Sequence, residues 1–366
     1  MSAVPVVRIG AVNGPTEYEL SRVAYAARLS DGRIVVVDGG SSEVRWFSAD
    51  GRFALRAGGA GEGPGELLWV TSGAVTPEDA VVLYDPQNQR LTWFGAEGSA
   101  RRTLRMDLVG AVSLAPMDGG RLVVAEERPV VNLGGLEYNL TRDSVAVLVV
   151  DTLRAAVDTV LYAPGRDAVT WVSYVEGRPT ATRQFGLPFG SATLVGAVAD
   201  QVVMVEDGGL ELVFLGLDGS RHRTVRRTDV MRGPLSLALK GEYEAGAAAL
   251  AMARGVPERL ARAGAAGLLG VVPEERSTSP FDRMLTDAVA RRVWVRDYRQ
   301  EWEAEESQRW TVHDATGRVL ARITTPPGLE VMQVGPRHVV GVERDQVGVE
   351  YVVAYRVEGS ELPGGR

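Results

Sequence analysis

Six times along the chain the same phrase recurs: a turn, a few mostly apolar residues, then an acid. The copies are Arg33–Asp38 (RIVVVD), Ala80–Asp85 (AVVLYD), Arg121–Glu126 (RLVVAE), Gln201–Glu206 (QVVMVE), Arg292–Asp297 (RVWVRD) and His338–Glu343 (HVVGVE). The sixth position is acidic in every copy. Self-similarity of this kind marks a repeat architecture, and the β-branched content makes these repeats strands. The first two copies align without a gap, so that Trp46-Phe47 matches Trp93-Phe94 and Asp50-Gly51 matches Glu97-Gly98. Each reads as four strands joined by tight turns. The third turn recurs as Asp218-Gly219 and Thr316-Gly317, where glycine supplies the positive φ of a short hairpin loop. Four-stranded antiparallel units of about 40–50 residues are propeller blades.

The expected fold is therefore all-β: a six-bladed β-propeller forming a single domain over residues 1–366. The last copy has three strands before the chain runs out near Glu358, so Val4–Ile9 is expected to add as the outermost strand of the last blade. Two long gaps separate the copies: the first, between the third and fourth, holds excursions at Pro129–Arg142 and Ala163–Leu187, and the second, between the fourth and fifth, holds a further insertion. The largest, approximately Gly233–Val272, reads as helical. Pro234 fits a first-turn proline, Gly255 a C-terminal cap, and Pro257 the start of a second helix.

Composition excludes several function classes. The net charge is −7 and no basic stripe is present, which argues against nucleic acid. The basic run Arg221–Arg227 reads as a solvated outer strand. There are no cysteines, which removes disulfides, thiol catalysis and thiolate metal sites. No apolar run reaches membrane-span length, and residues 1–10 lack the features of a signal peptide.

A second recurrence places proline and an apolar residue where innermost strands should begin: Pro64–Leu67, Leu187–Phe189, Pro280-Phe281 and Pro326–Leu329. These segments are expected around one mouth of the central channel. The segment Gly58–Leu67 (GGAGEGPGEL) is similar to the glycine-rich GxGxGPGEF phrase of the bacterial six-bladed β-propeller family related to NHL-repeat proteins, with Leu67 in place of the usual Phe. The blade Asp31–Gly51 and the segments Leu187–Phe189 and Pro280–Asp297 resemble the same family. The resemblance implies the fold and often an exported location, periplasmic or extracellular. It implies no one activity.

The acid column invites a cation site, but each acid is expected to accept backbone N–H bonds or pair with an arginine. Gly58–Gly65 lacks the Lys-Ser/Thr of a phosphate loop and reads as a turn. His222, His313 and His338 show no metal-binding spacing. Aromatic and arginine residues near the expected mouth are the binding candidates: Tyr18, Trp69, Arg183, Phe185, Phe189, Phe281 and Arg283. Packing between blades is the competing reading of each.

The leading functional reading is a non-catalytic scaffold that binds an unidentified small molecule or protein at the channel mouth, with no cofactor. A sensor domain cut from a longer envelope protein is a related possibility. The alternative is a metal-assisted hydrolase or lyase over the channel, similar to gluconolactonases, which would hold calcium or another divalent cation on oxygen ligands. Glu17, Glu19, Asp282, Asp287 and Glu330 are the acids expected near the axis, with Glu17 and Asp282 as candidate bases. None of the four asparagines, Asn13, Asn88, Asn132 and Asn139, falls on an expected innermost strand, so that ligand mixture is incomplete. No residue is assigned as a metal ligand.

Overall fold

All six acid-ended phrases become the second strand of their own antiparallel sheet. The structure, a computed structural model, describes residues 1–357 apart from 109, 111, 134–135, 207–208, 228–233, 275 and 304–305.

The chain opens with β1 (Val7–Ile9) and then builds six blades in order. Blade one holds β2 (Val23–Arg28), β3 (Ile34–Asp38), β4 (Glu43–Phe47) and β5 (Phe53–Gly58). Blade two holds β6 (Ser72–Val75), β7 (Val81–Asp85), β8 (Arg90–Phe94) and β9 (Ala100–Arg105). Blade three has five strands: β10 (Val112–Met117), β11 (Arg121–Arg128), β12 (Tyr138–Asp151), β13 (Ala156–Val175) and β14 (Arg178–Gly186). Blade four holds β15 (Leu194–Val198), β16 (Gln201–Val205), β17 (Glu211–Leu215) and β18 (Arg221–Arg226). Two helices follow, α1 (Leu237–Ala253) and α2 (Glu258–Gly270). Blade five holds β19 (Phe281–Asp287), β20 (Arg292–Asp297), β21 (Gln308–Asp314) and β22 (Val319–Thr325). Blade six holds β23 (Glu330–Val334), β24 (His338–Arg344) and β25 (Glu350–Arg356), with β1 paired outside β25. The fold is a six-bladed propeller whose first strand completes its last blade, as the sequence predicts.

The unbroken apolar runs have a simple cause. Successive side chains of a strand point to opposite faces, and a blade's inner strands are buried on both. In β3, Ile34 and Val36 pack against Val340, Val342 and Val352 of blade six, whereas Val35 and Val37 pack against Val81 and Leu83 of blade two. In β16, Val202 and Met204 face blade three, and Val203 and Val205 face blade five. Each of the six gaps between neighbouring blades is filled by its own apolar cluster, including the gap between blades six and one. Full burial of one such side chain stabilises by about 1.5–3 kcal/mol.

The third-turn glycines also join blades. Gly98 has φ +84°, and a Cβ there would meet Leu55 of β5 at 2.5 Å. Gly317 lies in the same way against Val225 of β18, and Gly51 against Val7 and Ile9 of β1. Thus β1 presents to blade one the surface that β5 presents to blade two.

Blade three departs from expectation. The two excursions pair with each other: Tyr138–Arg142 lies opposite Asp167–Trp171, and β14 adds beyond β13. The result is an arm extending the blade rather than two separate loops. The first helix also starts later than expected. Ser236 caps α1, its Oγ accepting from the Leu239 N–H at 3.1 Å, and Pro234 lies before the helix in a bridge to Ser277. The expected boundary at Gly233 and the chain end at Glu358 lie outside the described residues. Tyr243 of α1 packs between Phe189 and Trp302, with ring centroids 5.6 and 5.3 Å away. Leu268 and Leu269 of α2 rest on Val169 and Tyr138 of the arm.

Candidate ligand site at the channel mouth

The innermost strands β2, β6, β10, β15, β19 and β23 surround the axis, and a channel runs between them. It widens into two cavities. One, of about 410 Å³, opens where the innermost strands begin and the acid column ends. The other, of about 400 Å³, opens at the first hairpin turns and is bordered by Arg28, Ser30, Thr76, Asp287 and His338. Tyr25, Leu114, Val195, Met284 and Met332 line both and form the apolar waist. Gly73 makes room for Tyr25, whose ring atoms lie 2.6 Å from where a Cβ would stand.

Four charged residues line the mouth cavity: Glu127, Asp282, Arg283 and Glu330. Two are neutralised by neighbours. The Arg296 Nε donates to Asp282 at 2.7 Å, and the Arg299 backbone N–H donates to its other oxygen at 3.2 Å. Arg296 is itself held by Gln308 at 3.0 Å, and Gln308 donates on to the Leu329 carbonyl. Arg344 donates to Glu330 at 2.9 Å and also grips Glu350, whose other oxygen accepts the Val23 N–H.

The other two differ. Among the described residues, neither the Arg283 guanidinium nor the Glu127 carboxylate has a hydrogen bond or a close ion pair. Burial and the nearby Arg296 push Arg283 down to about 10, only partly offset by Glu330 and Asp282. Burial raises the proton affinity of Glu127, with Arg166 opposing and Asp143 adding to the effect. Both groups carry a desolvation cost that the protein does not fully offset.

The sequence-predicted binding residues separate into three groups. Arg283 lines the cavity, and Trp69 lies on the connection entering blade two, 43% exposed, with Arg22 stacked 4.0 Å from its ring. Tyr18, Phe189 and Phe281 are packing residues. The Tyr18 ring lies 5.5 Å from Phe47, and its hydroxyl accepts the Phe53 N–H at 2.8 Å. Phe189 sits under Tyr243, and Phe281 fills the gap between blades four and five beneath Arg227. Leu67 and Leu329, from the same proline segments, are likewise fully buried between blades. Arg183 and Phe185 require a correction. They lie on β14, the outermost strand of blade three, opposite Trp171 and Val169, because their segment joins the arm instead of leading to the axis.

Of the acids expected near the axis, Asp282 and Glu330 reach the mouth and Asp287 reaches the opposite cavity. Glu17 and Glu19 do not line either cavity. They belong to the turn before blade one, where their backbone carbonyls accept from Arg45. The column acids are satisfied locally. Asp85 accepts the N–H groups of Leu68, Trp69, Gln87 and Asn88, and Asp38 pairs with Arg45 at 3.0 Å. Glu126, Glu206, Asp297 and Glu343 pair with Arg128, Arg221, Arg309 and Arg8. The glycine-rich run is a turn clasped by Arg90, which donates to the carbonyls of Glu62, Gly63 and Glu66.

Sequence reasoning missed Glu127. Its signal is a second acid directly behind the column, but Glu206-Asp207 carries the same signal, and Asp207 lies outside the described residues.

The DUF5128 family, described as a 6-bladed beta-propeller, matches residues 17–140. No curated protein matches the sequence. A member of the DUF4221 family from Bacteroides vulgatus has a similar structure, with TM-score 0.51 and 9% identity, covering 96% of this chain and 97% of that one. A candidate exported protein from Bacteroides fragilis aligns with TM-score 0.47 and 11% identity over 96% and 94% of the two chains. Virginiamycin B lyase from Staphylococcus aureus aligns with TM-score 0.41 and 9% identity over 95% and 97%. At these identities the likeness extends to the fold alone.

Proposed function

We propose that the protein is a binding module whose mouth cavity takes a small ligand through an anionic group held by Arg283. The observation that carries this reading is a guanidinium lining a cavity of about 410 Å³ with no acceptor bonded to it among the described residues. A guanidinium presents five donors in a rigid fork that matches a carboxylate or phosphate. Buried charges are ordinarily paired, so a bound anion would supply the missing partner. The cavity volume suits a small molecule, and Met284, Met332 and Tyr25 offer an apolar floor to its uncharged part.

The metal-assisted alternative needs at least three oxygen ligands meeting at the axis. Among the described residues no group of three His, Asp or Glu side chains is placed to hold an ion. Of the three acids at the mouth, Asp282 and Glu330 are each held by an arginine, which leaves Glu127 alone. This donor set does not fit a divalent cation.

The test is thermal unfolding with hexanoate, benzoate or inorganic phosphate. A ligand that binds only the folded state raises apparent stability by mass action. At least one probe should raise the Tm of the wild type and leave Arg283→Gln unmoved, while the unliganded variant melts no lower than the wild type. Equal shifts in both proteins, no shift with any probe, or a large fall in the variant's own Tm would each reject the reading.

A further inference from the structure

We infer that the ligand of the mouth cavity is dipolar, with an anionic end on Arg283 and a cationic amine end on Glu127, joined by an apolar spacer. This rests on the anion-binding reading of Arg283 and adds to it the opposite pole.

Elimination among the charges lining the cavity leaves two groups. Asp282 and Glu330 are spoken for by Arg296 and Arg344, at 2.7 and 2.9 Å. What remains is one cation and one anion, Arg283 and Glu127, each lacking a hydrogen bond among the described residues. The charges near Glu127 do not neutralise it by contact. Arg166 is turned to Asp143, 3.9 Å away, and Asp143 accepts from Val130 and Gln184.

The two poles do not neutralise each other either. Arg283 projects from β19 in blade five, whereas Glu127 stands near the end of β11 in blade three. Blade four lies between them in the ring and contributes Thr193, Leu194 and Val195 to the cavity wall. Facing sheets pack about 10 Å apart, so residues separated by a whole blade are not in contact unless long side chains bridge the axis. Neither group is among the charges that perturb the other. A ligand that satisfies both reaches from blade five to blade three, which favours a chain longer than an α-amino acid. Leu194 and Val195 of blade four, with Met284 and Met332, give the wall apolar surface beside Thr193, enough to accommodate a methylene chain.

The experiment is calorimetric titration of the intact protein with ω-amino acids of increasing length, from glycine to 6-aminohexanoate, beside hexanoate and hexylamine. The expected result is affinity that rises with length, with 6-aminohexanoate binding about ten- to a hundredfold tighter than hexanoate. Glu127→Gln should remove that advantage while hexanoate binds at least as tightly as in the wild type, whereas Arg283→Gln should abolish both. Equal binding of hexanoate and 6-aminohexanoate overturns the dipolar proposal while leaving the anion site intact. Unchanged selectivity in Glu127→Gln does the same. Loss of neither ligand in Arg283→Gln, or no binding of any carboxylate, overturns both readings.

Discussion

The acid column and the mouth cavity are separated by the width of a strand, yet they treat charge in opposite ways. Along the column every carboxylate has a partner: backbone N–H groups for Asp85, an arginine for the other five. In the cavity Arg283 and Glu127 are left without one among the described residues. A residue that recurs in every blade serves what every blade needs, which is to fix a turn or an outer strand. A residue present in one blade alone is free to serve something else. Repetition in this chain therefore points away from the site, and the exceptions point to it.

The comparison can be broken at several places. The largest effect is expected at Asp85, which is fully buried and accepts five hydrogen bonds, including one from the Asn88 side chain. Asp85→Ala leaves those donors unmet and should destabilise by about 3–5 kcal/mol in urea unfolding. A cost under about 1 kcal/mol would show that the column is not structural.

The next effect belongs to the cavity at the first hairpin turns. Asp287 is buried, with one oxygen accepting from Val289 and Ala290 and the other without a hydrogen bond, and burial pushes its carboxyl up to about 6. A raised carboxyl contributes stability below its unfolded value of 3.8, and that contribution is lost as the pH rises through 6. Asp287→Asn should therefore gain about 1–3 kcal/mol at pH 7, with the gain vanishing near pH 4. His338, at the same end, runs the other way. Burial and Arg28 push it down to about 4, so its contribution is present above 6.5 and lost as the pH falls. In Asp287→Asn the acid loss due to His338 should stand exposed, and the stability profile between pH 6.5 and 4 should fall more steeply than in the wild type. A parallel profile would assign the shift elsewhere.

A smaller change is expected at the exposed end of the column. Glu206 pairs with Arg221 at 2.7 Å where both side chains meet solvent, and Glu206→Gln should cost about 0–1 kcal/mol, less at high salt. The smallest stability change belongs to Arg283→Gln, within about 0.5 kcal/mol of wild type or slightly stabilising, because the cation it removes has no bonded partner to lose. A loss as large as that of Asp85→Ala would erase the distinction between column and cavity.

Most of the ring is legible in the amino-acid sequence. Strands buried on both faces write themselves as runs such as IVVVD and VVLYD, and the Asp-Gly turns mark the hairpins between them. The spare strand before blade one was legible because the last blade visibly lacks one. The arm was not. Nothing local to Tyr138–Arg142 says that it pairs with Asp167–Trp171, and that error moved Arg183 and Phe185 from the outer edge to the mouth. At the site, Arg283 and Asp282 were readable because they follow the proline that opens β19. Glu127 was not, because its place depends on β11 running past the acid of its own column by two residues.

The strand that completes blade six sets the order in which the molecule is finished. Arg8 and Glu343, 335 residues apart, meet in an ion pair beside the pairing of β1 with β25. During synthesis β1 emerges before all six blades and β25 after the other strands of blade six, so β1 has no partner until the intervening blades have emerged. Until then the forming molecule is an open arc with an unsealed edge at each end, exposed to any other strand that arrives first. Ring closure is thus a late, long-loop event, and the step at which two nascent copies are most liable to exchange strands.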